Sequence, residues 1–223
     1  MVSHPYGVKM PRVSRPYHHG DLHRALLAAA LEILRTEGTA ALTLREVARR
    51  AGVSHQAPYH HFADRAALVA AVAQDGFERL MQEVDRARSS AADPVAQLQE
   101  GGVAYVVFAV RHPEHYRIMF GPELADRSAH PDLDRAARRV FETLSAPPGE
   151  LRPPEPTGPG ALQATLWSVV HGLAMLLIDG QLRGKLGKGG GVSAPAARRI
   201  ALEVTEILWF GLRHAVSRRP GDR

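Results

Sequence analysis

Cysteine is absent from all 223 positions. That excludes disulfides, thiolate zinc sites and thiol nucleophiles, leaves the fold to stand on packing alone, and suits a reducing compartment. Strand-type alternation of useful length is also missing, so sandwiches and barrels are set aside. No apolar run is long enough to cross a bilayer: the stretch 164–178 falls short of the roughly 20 residues needed and contains His171. The first 17 residues carry Lys9, Arg12 and Arg15 but no apolar segment of the kind a secretory leader needs. These absences together lead to the expectation of a soluble, cytoplasmic protein with no membrane partner.

What the chain does have is a 45% apolar content, enough for a real core, and an uneven charge. Residues 1–65 hold nine Lys/Arg against five Asp/Glu, whereas the remaining residues hold 19 against 18. A small basic region beside a near-neutral larger one suits a polyanion partner for the first region and a different partner for the second.

Periodicity then divides the chain. Residues 1–17, with Pro5, Pro11 and Pro16, read as a flexible basic arm. Leu22, Leu26, Leu27, Ala30, Leu31, Ile33 and Leu34 line one face of a first helix that ends at Gly38. Thr43 opens a second with a capping box, its hydroxyl serving the amide of Glu46 while Glu46 reaches back. Asp64 caps a long helix to about Arg88, and Asp93-Pro94 starts the next, which stops at His112-Pro113. A short helix at 114–120 and others at 131–144, 162–182 and 194–216 complete the chain. They are separated by a Pro/Gly-rich loop at 146–160 and a glycine-rich segment at 184–191. The predicted fold is all-α with about nine helices, divided into an arm (1–17), a three-helix N-terminal domain (18–65) and a larger helical C-terminal domain (66–223).

The most informative segment is 44–62. Val47, Ala48 and Ala51 form a small apolar face that a second helix can cross closely. Gly52 permits a left-handed turn, Val53 plugs the junction and Ser54 is suited to cap the second helix. This is the logic of a helix-turn-helix, with 54–61 as the helix that enters the major groove of double-stranded DNA. His55 and Gln56 then reach base edges, Gln56 with the geometry to pair bidentately with adenine. Thr43, Arg45, Ser54, Tyr59, His60 and Arg65 lie near helix starts or one turn on, where they meet phosphates and set register. Pro58 lacks the amide that would bond the Ser54 carbonyl and disfavours helical geometry at Ala57, so the first turn of that helix is open to distortion.

Residues 21–77, above all 42–54 together with Tyr59, His60, His61 and Phe62, resemble the DNA-binding domain of the TetR family of transcription regulators. Residues 17–22, 57–59 and 167–172, the last holding Trp167, His171 and Gly172, are similar to a branch whose C-terminal domain is named for those three residue types. The resemblance implies a homodimer, a palindromic operator and repression relieved by a small-molecule effector, with an activator or a ligand-independent regulator of the same fold as the alternative. It also implies that the apolar faces near the chain end form a four-helix interface between subunits. Trp167, Gly172, Leu173, Leu176, Ile207, Leu208, Gly211 and Leu212 would lie in that interface, the two glycines permitting close approach.

For the effector, Tyr105, Phe108, His112, Tyr116, Met119 and Phe120 cluster around the kink at Pro113, and Trp167, His171 and Met175 are placed to face them, an apolar aromatic wall with a few polar groups. No cofactor is expected. Catalysis is the remote alternative: His112 and His115 have helical spacing for a metal, but Pro113 disrupts it and no carboxylate pattern completes the set.

Overall fold

The computed structural model describes residues 19–124, 127–146, 159–182 and 192–217. The basic arm, most of the loop at 146–160 and the glycine-rich segment at 184–191 therefore lie outside the described residues. Among those described, eight α-helices and three 3-10 turns succeed one another and no strand occurs. The helices are α1 (His19–Glu37), α2 (Leu44–Ala51), α3 (Arg65–Ser89), α4 (Pro94–Arg111), α5 (Pro113–Met119), α6 (Pro131–Ser145), α7 (Pro159–Ile178) and α8 (Ala194–Ser217). The all-α reading holds with one helix fewer than expected, because 54–61 does not form an α-helix. The chain divides into two compact units with the boundary after Phe62.

Local signals account for the first unit. Gly38 ends α1 with a positive φ of 80°, its amide shared between the carbonyls of Ile33 and Leu34 at 3.2 Å. Thr43 is extended and its hydroxyl accepts from the Glu46 amide at 3.1 Å, satisfying one of the unpaired donors at the start of α2. The other half of the expected capping box does not form: the Glu46 carboxylate turns forward to Arg49, with Arg49 Nε donating at 2.7 Å, and to Arg50. Arg50 also bonds Glu37, joining α2 to α1. Between the two helices lies a core of Leu26, Ala30, Ile33, Leu42, Val47 and Ala48, all fully buried.

In the second unit, α4 is the central helix, packed by α3, α5, α7 and α8. Asp64 caps α3 through the Ala67 amide at 2.8 Å. Asp93 caps α4 through the amides of Val95 and Ala96, both at 2.9 Å, with Pro94 in the first turn where its missing amide costs nothing. At Gly76 a Cβ would sit 2.6 Å from Met119 Sδ and 3.2 Å from the His115 ring, so the small residue is what lets α5 approach α3. Two side-chain pairs bind the same helices, His115 to Asp75 at 2.9 Å and His112 to Glu83 at 3.7 Å.

Helix α7 is longer than the apolar stretch suggested. Residues 160–178 are long and apolar enough, by length and composition, to cross a membrane, and a third of that window is buried inside the protein. Its inner face, Leu166, Val170, Ala174 and Leu177, is buried, and α7 packs on α4.

Candidate functional site

The exposed ridge of the first unit starts at the end of α2. Gly52 takes the left-handed conformation (φ 69°, ψ 29°), and two bonds close the helix end: Gly52 N to Arg49 O at 3.2 Å and Val53 N to Ala48 O at 3.0 Å. This pair is a Schellman motif, whose left-handed residue a glycine supplies without a Cβ penalty, and it reverses the chain within two residues. The second element then differs from the expected α-helix. Residues 55–56 form a turn and Ala57–His60 a 3-10 turn. The cause is Pro58. It has no amide for the Ser54 carbonyl, which accepts instead from Ala57 N at 3.0 Å, one residue early, and Tyr59 N repeats the pattern to Gln56 O at 3.1 Å. Pro58 itself is buried, and this turn packs on α2, with the Pro58 carbonyl accepting from both His61 N and Phe62 N at 2.9 Å.

A 3-10 turn aligns side chains three apart, so Gln56 and Tyr59 project together, as do Ala57 and His60. Ser54, His55, Gln56, Tyr59 and His60 are all exposed, Tyr59 by 53%, as are Thr43 and Arg45 at the start of α2. Arg65 is exposed as well, at the first residue of α3 in the second unit. Of the arginines on α2, Arg49 and Arg50 are occupied by Glu46 and Glu37, whereas Arg45 has no carboxylate partner among the described residues.

In the second unit the aromatic residues converge, but not as a simple wall. Tyr105 of α4 and Tyr116 of α5 are fully buried, their hydroxyls 3.0 Å apart, and each hydroxyl lies 2.8 Å from His171 Nδ1 of α7. Burial pushes both phenols above their ordinary range and holds His171 below its own, so all three groups favour their neutral forms and share hydrogen bonds around Nδ1. Trp167 stacks on His171 with rings 5.6 Å apart at 14°, and Phe120 meets the same imidazole edge-on at 4.8 Å.

An open cavity of about 680 Å³ lies beside Trp167 and Phe120, against α6. Phe77, Phe141, Gln163, Arg127 and Arg138 complete much of its lining. Of the nine residues expected at a ligand wall, only Phe120 and Trp167 reach it. Tyr105, Phe108, Tyr116 and Met119 are fully buried behind, His171 is held in the cluster, and His112 sits against Phe108 with rings 4.8 Å apart. Met175 is exposed, because eight helical positions carry it about 80° around α7 from Trp167. The cavity residues of α6 carry no motif in the sequence, and only the tertiary fold brings them opposite Trp167.

The outer faces of α7 and α8 carry several exposed apolar side chains. Leu176 is 43% exposed, Ile207 73% and Phe210 66%, with Met175 beside them. A Cβ on Gly172 or Gly211 would meet nothing within 4 Å. Four residues expected on this outer face turn inward instead. Trp167 joins the ring cluster, Leu173 is buried, and Leu208 and Leu212 pack against Leu98, Leu162, Leu166 and Trp209. The metal alternative finds no support in the geometry. The Nε2 atoms of His112 and His115 face different carboxylates, and no group of three ligating side chains converges among the described residues.

Two family models match the chain, "Bacterial regulatory proteins, tetR family" over residues 26–72 and "Tetracyclin repressor-like, C-terminal domain" over residues 98–189. A solved Rhodococcus sp. RHA1 protein of unknown function is 32% identical, with a TM-score of 0.71 over 89% of this chain and 99% of that one. Among curated proteins, the HTH-type transcriptional activator FasR of Mycolicibacterium smegmatis is 33% identical over 95 residues, 43% of each chain. The HTH-type transcriptional regulator BetI of Rhizobium meliloti is 35% identical over 71 residues, 32% of this chain and 35% of that protein. The match thus spans less than half the length of either curated relative.

Proposed function

Because the chain belongs to the TetR family of DNA-binding transcription regulators, whose members are not enzymes, we propose that it acts as a homodimeric repressor. Two copies hold a palindromic operator and release it when a small molecule occupies the C-terminal unit. Residues 18–65 form the DNA-reading domain and 66–223 the sensing and dimerisation domain, with the basic arm at 1–17 adding phosphate contacts and the whole working in the cytoplasm.

The observation that carries this reading is the exposed polar edge of the turn after α2. His55, Gln56, Tyr59 and His60 face solvent while Pro58 anchors the segment from within. Gln56 and His55 read base edges, and Tyr59, His60, Thr43, Ser54, Arg45 and Arg65 hold phosphates. Arg45 is well suited to the second task, since no carboxylate competes for it among the described residues.

The dimer is supported by Met175, Leu176, Ile207 and Phe210, an exposed apolar set that water disfavours, and by the open space beside Gly172 and Gly211 that admits a second pair of helices. Such a dimer must present its reading segments about 34–36 Å apart to meet successive major grooves. A ligand that prefers a different spacing weakens DNA binding by that preference and no more, and DNA weakens ligand binding by the same factor.

Genome-wide binding would locate the operator. On that sequence, Gln56→Ala should relax discrimination at one base pair, costing about 1–3 kcal/mol there. Arg45→Ala should lower affinity for every duplex and flatten the salt dependence. Identical behaviour of the two variants would overturn the division into readers and positioners. Ile207→Glu combined with Phe210→Glu should yield monomers in sedimentation; a dimer that persists would refute the α7–α8 interface.

Activation is a second reading, favoured by the partial likeness to a protein named as an activator. A reporter fused to the operator decides the sign, because loss of the regulator raises expression under repression and lowers it under activation.

A further inference from the structure

Resting on the proposed sensing role of the second unit, we propose that the cavity between α6 and α7 takes a small amphipathic organic anion, its carboxylate held by Arg127 and its apolar body laid against Phe120, Trp167 and Phe141. The cavity volume, about 680 Å³, suits a molecule of that size.

The wall carries two arginines and two carboxylates, Asp134 and Glu142, so the sign of a ligand turns on which of these charges is already paired. Arg138 lies one turn from Asp134, with which it pairs, and one turn from Glu142, whose charge also favours its protonated state. Arg127 has no carboxylate partner among the described residues. One terminal nitrogen donates to the Met119 carbonyl at 2.9 Å, the guanidinium carbon lies 5.3 Å from the centre of the Phe77 ring, and Nε is buried without a hydrogen-bond partner. A guanidinium beside a cavity with no carboxylate to pair with is an arrangement that an incoming oxygen anion would complete. A guanidinium already seated on an aromatic face keeps its fork oriented, so little ordering remains when the anion arrives.

The rest of the wall sets the body of the ligand. Phe77, Phe120, Phe141 and Trp167 offer ring faces and edges, and Gln163 is the neutral polar group at hand for a second oxygen or a hydroxyl. An inorganic anion would leave those rings wet, and a neutral hydrocarbon would leave Arg127 unpaired. The matched ligand has both parts.

The test titrates the intact protein with decanoate and 4-phenylbutyrate beside their uncharged counterparts, decanol and 4-phenylbutanol, and tracks the fluorescence of Trp167, with Trp167→Phe as the control that assigns the signal. The wild type should bind each acid about tenfold more tightly than its alcohol. Arg127→Gln should erase that preference while leaving alcohol binding in place, and Arg127→Lys should restore part of it. Gln163→Glu, which leaves every Arg127 contact untouched, should weaken the acids alone and serves if the Arg127 variants fail to fold. Equal binding of acid and alcohol, or a preference that survives both Arg127→Gln and Gln163→Glu, overturns the anion while leaving a sensing cavity. Failure of all four probes to bind overturns the cavity assignment, and operator release by some other compound would then show that sensing itself survives elsewhere.

Discussion

The two compact units are built on different principles. In the unit ending at Phe62, the shape rests on devices a few residues long: the Thr43 cap, the left-handed Gly52 and the proline that tightens the turn at 57–60. In the unit starting at Ala63, the decisive arrangement joins residues far apart in sequence. Tyr105, Tyr116 and His171 meet from three helices around one imidazole nitrogen. The residues proposed to touch DNA are accordingly exposed and close together in sequence, whereas the cavity wall draws on five separate stretches of chain. Local devices make a part whose function depends on surface side chains; long-range packing makes a part that can respond as a whole.

Substitutions give this contrast its measure. Tyr116→Ala should cost the most, about 3–5 kcal/mol in chemical unfolding, since it empties a fully buried ring site and strips the His171–Tyr105 pair of a partner. Gly52→Val should cost less, about 1–2 kcal/mol, and for a single reason. A Cβ there meets nothing within 4 Å, so the loss is the left-handed backbone alone, and Gly52→Asn should recover part of it. If Gly52→Val proves costlier than Tyr116→Ala, the distinction between locally and globally held units fails. Thr43→Ala should cost about 1 kcal/mol by leaving the Glu46 amide without its acceptor, detectable as faster amide exchange at the start of α2.

The smallest effect is a pH dependence carried by histidines of the second unit. Burial holds native His171 below its ordinary 6.5, and burial likewise lowers His112 despite the opposing Glu83. The unfolded chain therefore takes up these protons first as pH falls. Their contribution is complete above 6.5 and drains as pH drops toward the depressed native values. Asp75 acts further down. Burial raises it, yet the bonds from His115 and Arg79 outweigh burial and hold it below 3.8, so its contribution fades only in stronger acid. The melting temperature should decline from pH 7 to 5, and His171→Gln should flatten that decline; an unchanged slope would mean that the imidazole is not kept neutral in the fold.

The same division separates what is legible in the sequence from what is not. The caps at Thr43, Asp64 and Asp93, the breaks at Gly38, Gly52 and Pro113, and the helices they bound can be read because each depends on the chemistry of a residue and its near neighbours. Pro58 is recognisable as a disturbance, but whether it kinks an α-helix or converts it to a 3-10 turn depends on its burial against α2. Met175 and Trp167 share an apolar helix, and nothing in their spacing says which faces the cavity and which faces solvent.

By itself, then, the sequence determined an all-helical chain with a basic, helix-turn-helix beginning, because periodicity, capping and glycine conformation act over one or two helical turns. Only the tertiary structure decided that Tyr105 and Tyr116 lie behind the cavity rather than in it, that α6 supplies the opposite wall, and that Arg127 has no carboxylate partner there among the described residues. Those outcomes depend on which faces of distant helices meet, and that is set by the summed packing of the whole unit.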